Sequence, residues 1–211
     1  MKSEMNILSL GFLCMLVVNS GCMTWVAKID DMSGVYSEPT VADGPRIIIT
    51  NLDDKRREKK LVGRISALNL ATETPINVII TNRISSKLRE SGFNVQKVDP
   101  RRTEGKSELV SDLKLDGSEI FLGGRLDHFY IESVDAILET ARGRASFHIK
   151  AVDRTGRTLF YGTYTGYAEK HIGLGGGPGS EELIEQTLQA ALNELFKDIE
   201  FQQFLLSVKN A

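Results

Sequence analysis

Cysteine is nearly absent from this chain: two in 211 residues, Cys14 and Cys22. That excludes a disulfide-stapled scaffold. Histidine occurs three times, at His128, His148 and His171, without the spacing of a metal-ligand set. An excess of charge of one sign is lacking too: 26 Lys and Arg stand against 28 Asp and Glu, a formal net charge of −2. Such a balance excludes a nucleic-acid binder that relies on bulk positive charge. What is present is ordinary globular composition, in a length that suits one domain or two very small ones.

The chain opens on an address. Residues 7–18 read ILSLGFLCMLVV, an uncharged run preceded by Lys2. At this length it is too short for a membrane-spanning helix, which needs about 20 residues. It fits the h-region of a signal peptide. Val18-Asn19-Ser20-Gly21-Cys22 follows and resembles the lipobox of bacterial lipoprotein precursors, departing from it at Asn19, where an aliphatic residue is usual. The resemblance implies that residues 1–21 are a lipoprotein signal peptide. Cys22 is then the lipidation site, carrying palmitate-type acyl chains, and Cys14 is removed. Each buried CH₂ contributes about 0.8 kcal/mol, so several chains hold a domain on a membrane. Met23-Thr24 is not the aspartate-led inner-membrane signal, which implies the outer membrane, with the domain in the periplasm.

Residues 22–45 read as a lipidated N-terminus and tether, with a short strand near Trp25–Ile29, and residues 46–211 as a single α+β domain. Arg46–Asn51 is a β-branched strand candidate. Asp53–Lys60 (DDKRREKK) reads as a solvated charged loop, and Leu61–Leu70 as a second strand or hairpin arm. Thr74-Pro75 starts a helix, with Pro75 at its first position. Ile76, Ile80, Ile84 and Leu88 recur every four residues, so the helix runs to about Ser91, with Gly92 as its stop. Phe93–Val98 alternates as a strand, and Ser107–Leu115 suggests a short helix.

Glu119–Ser133 is a long strand candidate in which Gly123-Gly124 suggests a bulge or bend. Arg142–Val152 alternates cleanly, with Ala145, Phe147, Ile149 and Ala151 on one face and Arg144, Ser146, His148 and Lys150 on the other. That predicts one buried and one wet face. Asp153–Arg157 is a turn and Thr158–Ala168 the return strand. His171–Ser180 is a glycine loop. A final helix begins with Ser180 as N-cap, and a shorter segment, Phe201–Val208, closes the chain. The order predicts an α+β fold: an antiparallel or mixed sheet with helices packed on one face.

Chemistry is sparse. The glycine loop GLGGGPGS lacks the Lys-Ser/Thr of a phosphate-binding loop and fails G-x-G-x-x-G, and Glu181 and Glu182 would repel an anion there. No cofactor and no metal are expected. Asp127-His128 suggests an oriented imidazole, and Ser146 shares a strand face with His148, but no nucleophile-elbow motif accompanies them. Asp127, Glu132, Asp135 and Glu139 are indistinguishable from solvated acids. Trp25 reads as a core or membrane-interface ring.

The mature chain resembles the YajG-like family of bacterial lipoproteins. The residues that carry the likeness are Cys22, IIITNLDDKR at 47–56, ISSKLRESGFNV at 84–95, the hairpin strands at 142–168 and the closing FKDIEFQQFLLSVKNA at 196–211. The resemblance implies a membrane-anchored envelope protein with an α+β domain and an undefined biochemical role. The expected function is non-enzymatic: binding or assembly of an envelope protein or glycan partner, with no nucleic acid. The alternative is a periplasmic hydrolase, which would need a cleft where His128 or His148 meets carboxylates.

Overall fold

The computed structural model describes residues 24–29, 45–65, 68–98, 119–135, 140–172 and 177–210. Cys22, the helix expected over Ser107–Leu115 and residues 173–176 lie outside them. The elements are β1 (Thr24–Ala27), β2 (Arg46–Thr50), β3 (Asp53–Asp54), β4 (Leu61–Ile65), β5 (Leu68–Thr72), α1 (Ile76–Glu90), β6 (Asn94–Val98), β7 (Ile120–Asp135), β8 (Thr140–Val152), β9 (Thr158–His171), α2 (Gly177–Lys197) and α3 (Ile199–Lys209).

The long strand β7 is the spine of the sheet. One of its edges pairs antiparallel with β8, which pairs antiparallel with β9. Its other edge takes three short parallel partners in turn: β2 on Ile120–Leu122, β3 on Arg125–Leu126 and β4 on Ile131–Glu132. Beyond β2 lies parallel β6; beyond β4 lie antiparallel β5 and then parallel β1. The sheet is mixed and the class α+β, as the order of elements predicts.

The three helices of the described residues share one face. The apolar stripe of α1, with Ile76, Ile79, Ile80, Ile84 and Leu88, is buried against β2, β6 and β7. Helix α2 lies across β8 and β9 and buries Leu183, Ile184, Leu188, Ala191, Leu192 and Leu195. Its close approach depends on two glycines. A Cβ at Gly143 would collide with Thr187, and one at Gly166 with the backbone of Ala191. Arg83 of α1 and Glu185 of α2 form a bidentate pair at 2.6 Å that joins the two helices. Helix α3 is capped by Asp198, which accepts from the backbone of Glu200 at 2.8 Å and from the Tyr164 hydroxyl at 2.6 Å. Burial and that carboxylate hold the Tyr164 pKa well above its usual value.

Four expectations change. Asp53–Lys60 is not wholly a solvated loop: Asp54 and Arg56 are buried. Arg56 grips both carboxylate oxygens of Asp54, at 3.0 and 2.8 Å, and caps the carbonyls of Lys59 and Leu61, each at 3.0 Å. The charges are tolerated inside because they are paired and hydrogen-bonded. Gly123-Gly124 does not break β7, whose register with β8 runs through both glycines; the irregularities fall at Leu126/His128 and Ser133/Asp135. Gly124 serves a close approach instead, since a Cβ would strike the His148 carbonyl. Helix α2 begins at Gly177, so Ser180 lies inside its first turn and is fully buried. Pro75 sits at the N-cap of α1, one residue before the first helical position.

The short strand expected near Trp25 is β1, and it is a member of the sheet. Four residue pairs join it to β5. The backbone N–H of Lys28 also donates to Glu181 at the start of α2, at 3.2 Å.

Candidate functional site

Strands alternate their side chains between two faces. On β7–β9 the helices take one face, so the alternate residues stand on the other, with no helix of the described residues over them. In β8 these are Arg142, Arg144, Ser146, His148 and Lys150. The antiparallel register places Glu169, Tyr167, Thr165, Thr163 and Tyr161 of β9 beside them in that order. From β7 come Arg125, His128, Tyr130 and Glu132. Tyr161 is 56% exposed and Tyr167 59%, so two large rings stand on an open polar surface.

Two clusters form on this face. In the first, the His148 ring stacks on Tyr161, with centroids 5.6 Å apart. Nε2 of His148 lies 2.5 Å from Oδ2 of Asp127, and Oδ1 of the same carboxylate lies 2.8 Å from Nε of Arg125. Nδ1 is met by the hydroxyls of Thr163 at 2.6 Å and Tyr161 at 2.8 Å. Nη2 of Arg125 also lies 3.3 Å from Nε2. Both ring nitrogens thus have partners on this face, the carboxylate on one side and the two hydroxyls on the other.

The second cluster lines a concavity of about 290 Å³ formed by His128, Tyr130, Glu132, Arg142, Arg144 and Tyr167. The guanidinium of Arg144 lies over the Tyr167 ring, 5.5 Å from its centroid. No carboxylate among the described residues stands within ion-pair distance of it. Arg142 is paired with Glu169 at 2.8 Å. Partial burial of the His128 ring, and then the positive charge of Arg144, lower its pKa from the usual histidine value; Glu132 opposes this. The hollow therefore offers two guanidinium groups, a largely neutral imidazole, one carboxylate and two phenol rings. That set suits a polar, ring-containing ligand with negative charge.

The suggested Asp127-His128 pairing does not form: Asp127 reaches across to His148 instead. Ser146 bonds Thr165 at 3.1 Å rather than an imidazole. Glu139 and the side chain of Asp135 lie outside the described residues. The sequence reading missed Tyr130, Tyr161, Tyr167 and Arg144. The signal was available: Tyr161, Thr163, Thr165 and Tyr167 follow the same period of two that sorted the residues of β8. Among the described residues no cluster of three metal-ligating side chains converges, and no helix is long and apolar enough to cross a membrane.

No protein-family model matches the chain, and no curated protein matches it. Several solved structures are similar in shape. A DUF330 protein from Xanthomonas campestris is 8% identical, with a TM-score of 0.47 over 88% of this chain and 91% of that one. A homologue of neuraminyllactose-binding hemagglutinin from Helicobacter pylori is 9% identical, with a TM-score of 0.46 over 88% of this chain and 100% of that one. Lipoprotein GNA1162 from Neisseria meningitidis is 13% identical, with a TM-score of 0.43 over 73% of this chain and 99% of that one. At this level of likeness neither a family nor a function is read from them.

Proposed function

We propose that the chain is a bacterial envelope lipoprotein, acylated at Cys22 and held on the outer membrane, whose periplasmic domain binds an acidic glycan without catalysing a reaction. The h-region, the lipobox-like stretch before Cys22 and the resemblance to YajG-like lipoproteins support the anchor. The hollow around Arg144 and Tyr167 carries the binding half of the reading. Its phenol rings provide flat surfaces for sugar rings, and the Arg144 guanidinium has no carboxylate of its own among the described residues. Glycoside hydrolysis ordinarily uses a pair of carboxylates flanking the bond. Among the residues lining this hollow, Glu132 is the one carboxylate. That arrangement favours binding over cleavage.

The test is calorimetric titration of the protein with uronic-acid-containing oligosaccharides. We expect measurable binding that weakens about 10- to 150-fold in Arg144→Gln, since loss of one charge-assisted hydrogen bond costs about 1.5–3 kcal/mol. Tyr167→Ala should weaken it as well. Absence of binding, or an affinity in both variants unchanged from the parent, overturns the assignment, and release of reducing sugar would replace it with the hydrolase reading.

A further inference from the structure

Little chain separates the predicted anchor from the first strand of the sheet. Cys22 precedes Thr24 by two residues, and a chain spans at most about 3.6 Å per residue, so an acyl group on Cys22 would be tied to the chain within about 7 Å of the start of β1. Strand β1 is fixed by its four pairs with β5, by the Lys28–Glu181 bond, and by a bond from the Glu73 N–H to the Ala27 carbonyl at 3.4 Å. A lipid at Cys22 therefore seats one particular end of the domain on the bilayer.

The pairing identifies that end. Thr24 lies in one row across the sheet with Asn69, Arg64, Glu132, Arg142 and Glu169. Beyond this row are the ends of β4, β7 and β9 and the beginnings of β5 and β8. Exposed apolar groups flank this row: Trp25, 37% exposed, and Val26, 50%, are the next two residues of β1 on its sheet side, and Val134, 49%, lies two residues past Glu132 on its other side. An indole at a water-accessible edge suits the lipid headgroup boundary, where an amphipathic ring has both of its environments.

Resting on the lipid-anchor reading, we infer that this end of the domain, led by Trp25 with Val26 and Val134, lies directly on the phospholipid leaflet. The strands then rise from the membrane. From Arg142 to Val152 is ten residues of strand, about 33 Å at 3.3 Å each, so the Asp153–Arg157 turn stands far out. The hollow around Arg144, beside the Thr24 row, opens close to the headgroups.

Trp25 is the single tryptophan, so its emission reports on this contact alone. Full-length protein purified from membranes is weighed intact, reconstituted into phosphatidylethanolamine/phosphatidylglycerol vesicles and floated. The expected mass is that of an acylated chain beginning at Cys22. Trp25 emission should be blue-shifted relative to the Cys22→Ser protein in buffer. Lipids spin-labelled near the headgroup should remove most of it. The reporter chain Trp25→Phe/Thr155→Trp should float equally and keep its emission. Flotation with an unshifted, unquenched Trp25 overturns the docking while leaving the anchor intact, as does equal quenching at Thr155→Trp. An unacylated chain that stays at the bottom of the gradient overturns both readings.

Discussion

The two faces of β7–β9 are built from alternate residues of the same strands, yet they differ in almost every property. One face presents Ala141, Ala145, Phe147, Ile149 and Ala151 of β8 to α2, all at most 1% exposed. The other presents Arg142, Arg144, Ser146, His148 and Lys150, with no helix of the described residues above them. Adjacent residues have one backbone environment and opposite duties. Stability should reside on the covered face and recognition on the open one.

The most direct way to break that contrast is a pair of truncations. Phe147 is fully buried, with its ring 5.8 Å from that of Tyr164. Phe147→Ala should destabilise the fold by about 3–5 kcal/mol in denaturant unfolding. Tyr167→Ala, on the open face, should stay within about 0.5 kcal/mol of the parent. Equal losses would mean that the open face is part of the core.

A smaller effect sharpens the same contrast. Gly166 lies where α2 touches β9, and Gly166→Ala must push the backbone of Ala191 away. Overpacking of this kind costs about 1–3 kcal/mol. Gly156, in the β8–β9 turn, has open space around it and a φ of +83°. There an alanine suffers backbone strain alone. A thermal scan of both variants separates a helix-docking glycine from a turn glycine.

How much of this could be read from the sequence depended on the range of each signal. The period of two in β8 and of four in α1 is local, and it placed Ile84 and Leu88, and Phe147 and Ile149, on faces that are buried. Pairing between distant segments leaves no such trace. DDKRREKK looks solvated until β3 docks on β7 and buries Asp54 with Arg56. Asp127 next to His128 suggests a pair, but neighbours along a strand normally point to opposite faces, and the bulge at Leu126/His128 gives Asp127 to His148. The hollow was illegible because it needs the registers of three strands at once, whereas its composition was visible in β8 and β9 separately.

The smallest predicted effect is a titration on the open face. Partial burial and the neighbouring Arg144 disfavour the protonated form of His128, so its folded pKa lies below the unfolded one. A group shifted in this direction binds more protons in the unfolded state around pH 6. By linkage its stabilising contribution is present above the unfolded pKa, about 6.5, and is lost as the pH falls through that value toward the folded one. NMR of the imidazole should therefore show a titration midpoint below that of a free histidine. Arg144→Gln should raise the midpoint by removing one of the causes, while desolvation of the ring and the charge of Arg56 keep part of the shift. In His128→Asn, the stability lost between pH 7 and pH 5 should shrink. A midpoint that ignores Arg144→Gln would place the guanidinium away from the imidazole, and with it dissolve the hollow on which the contrast between the two faces depends.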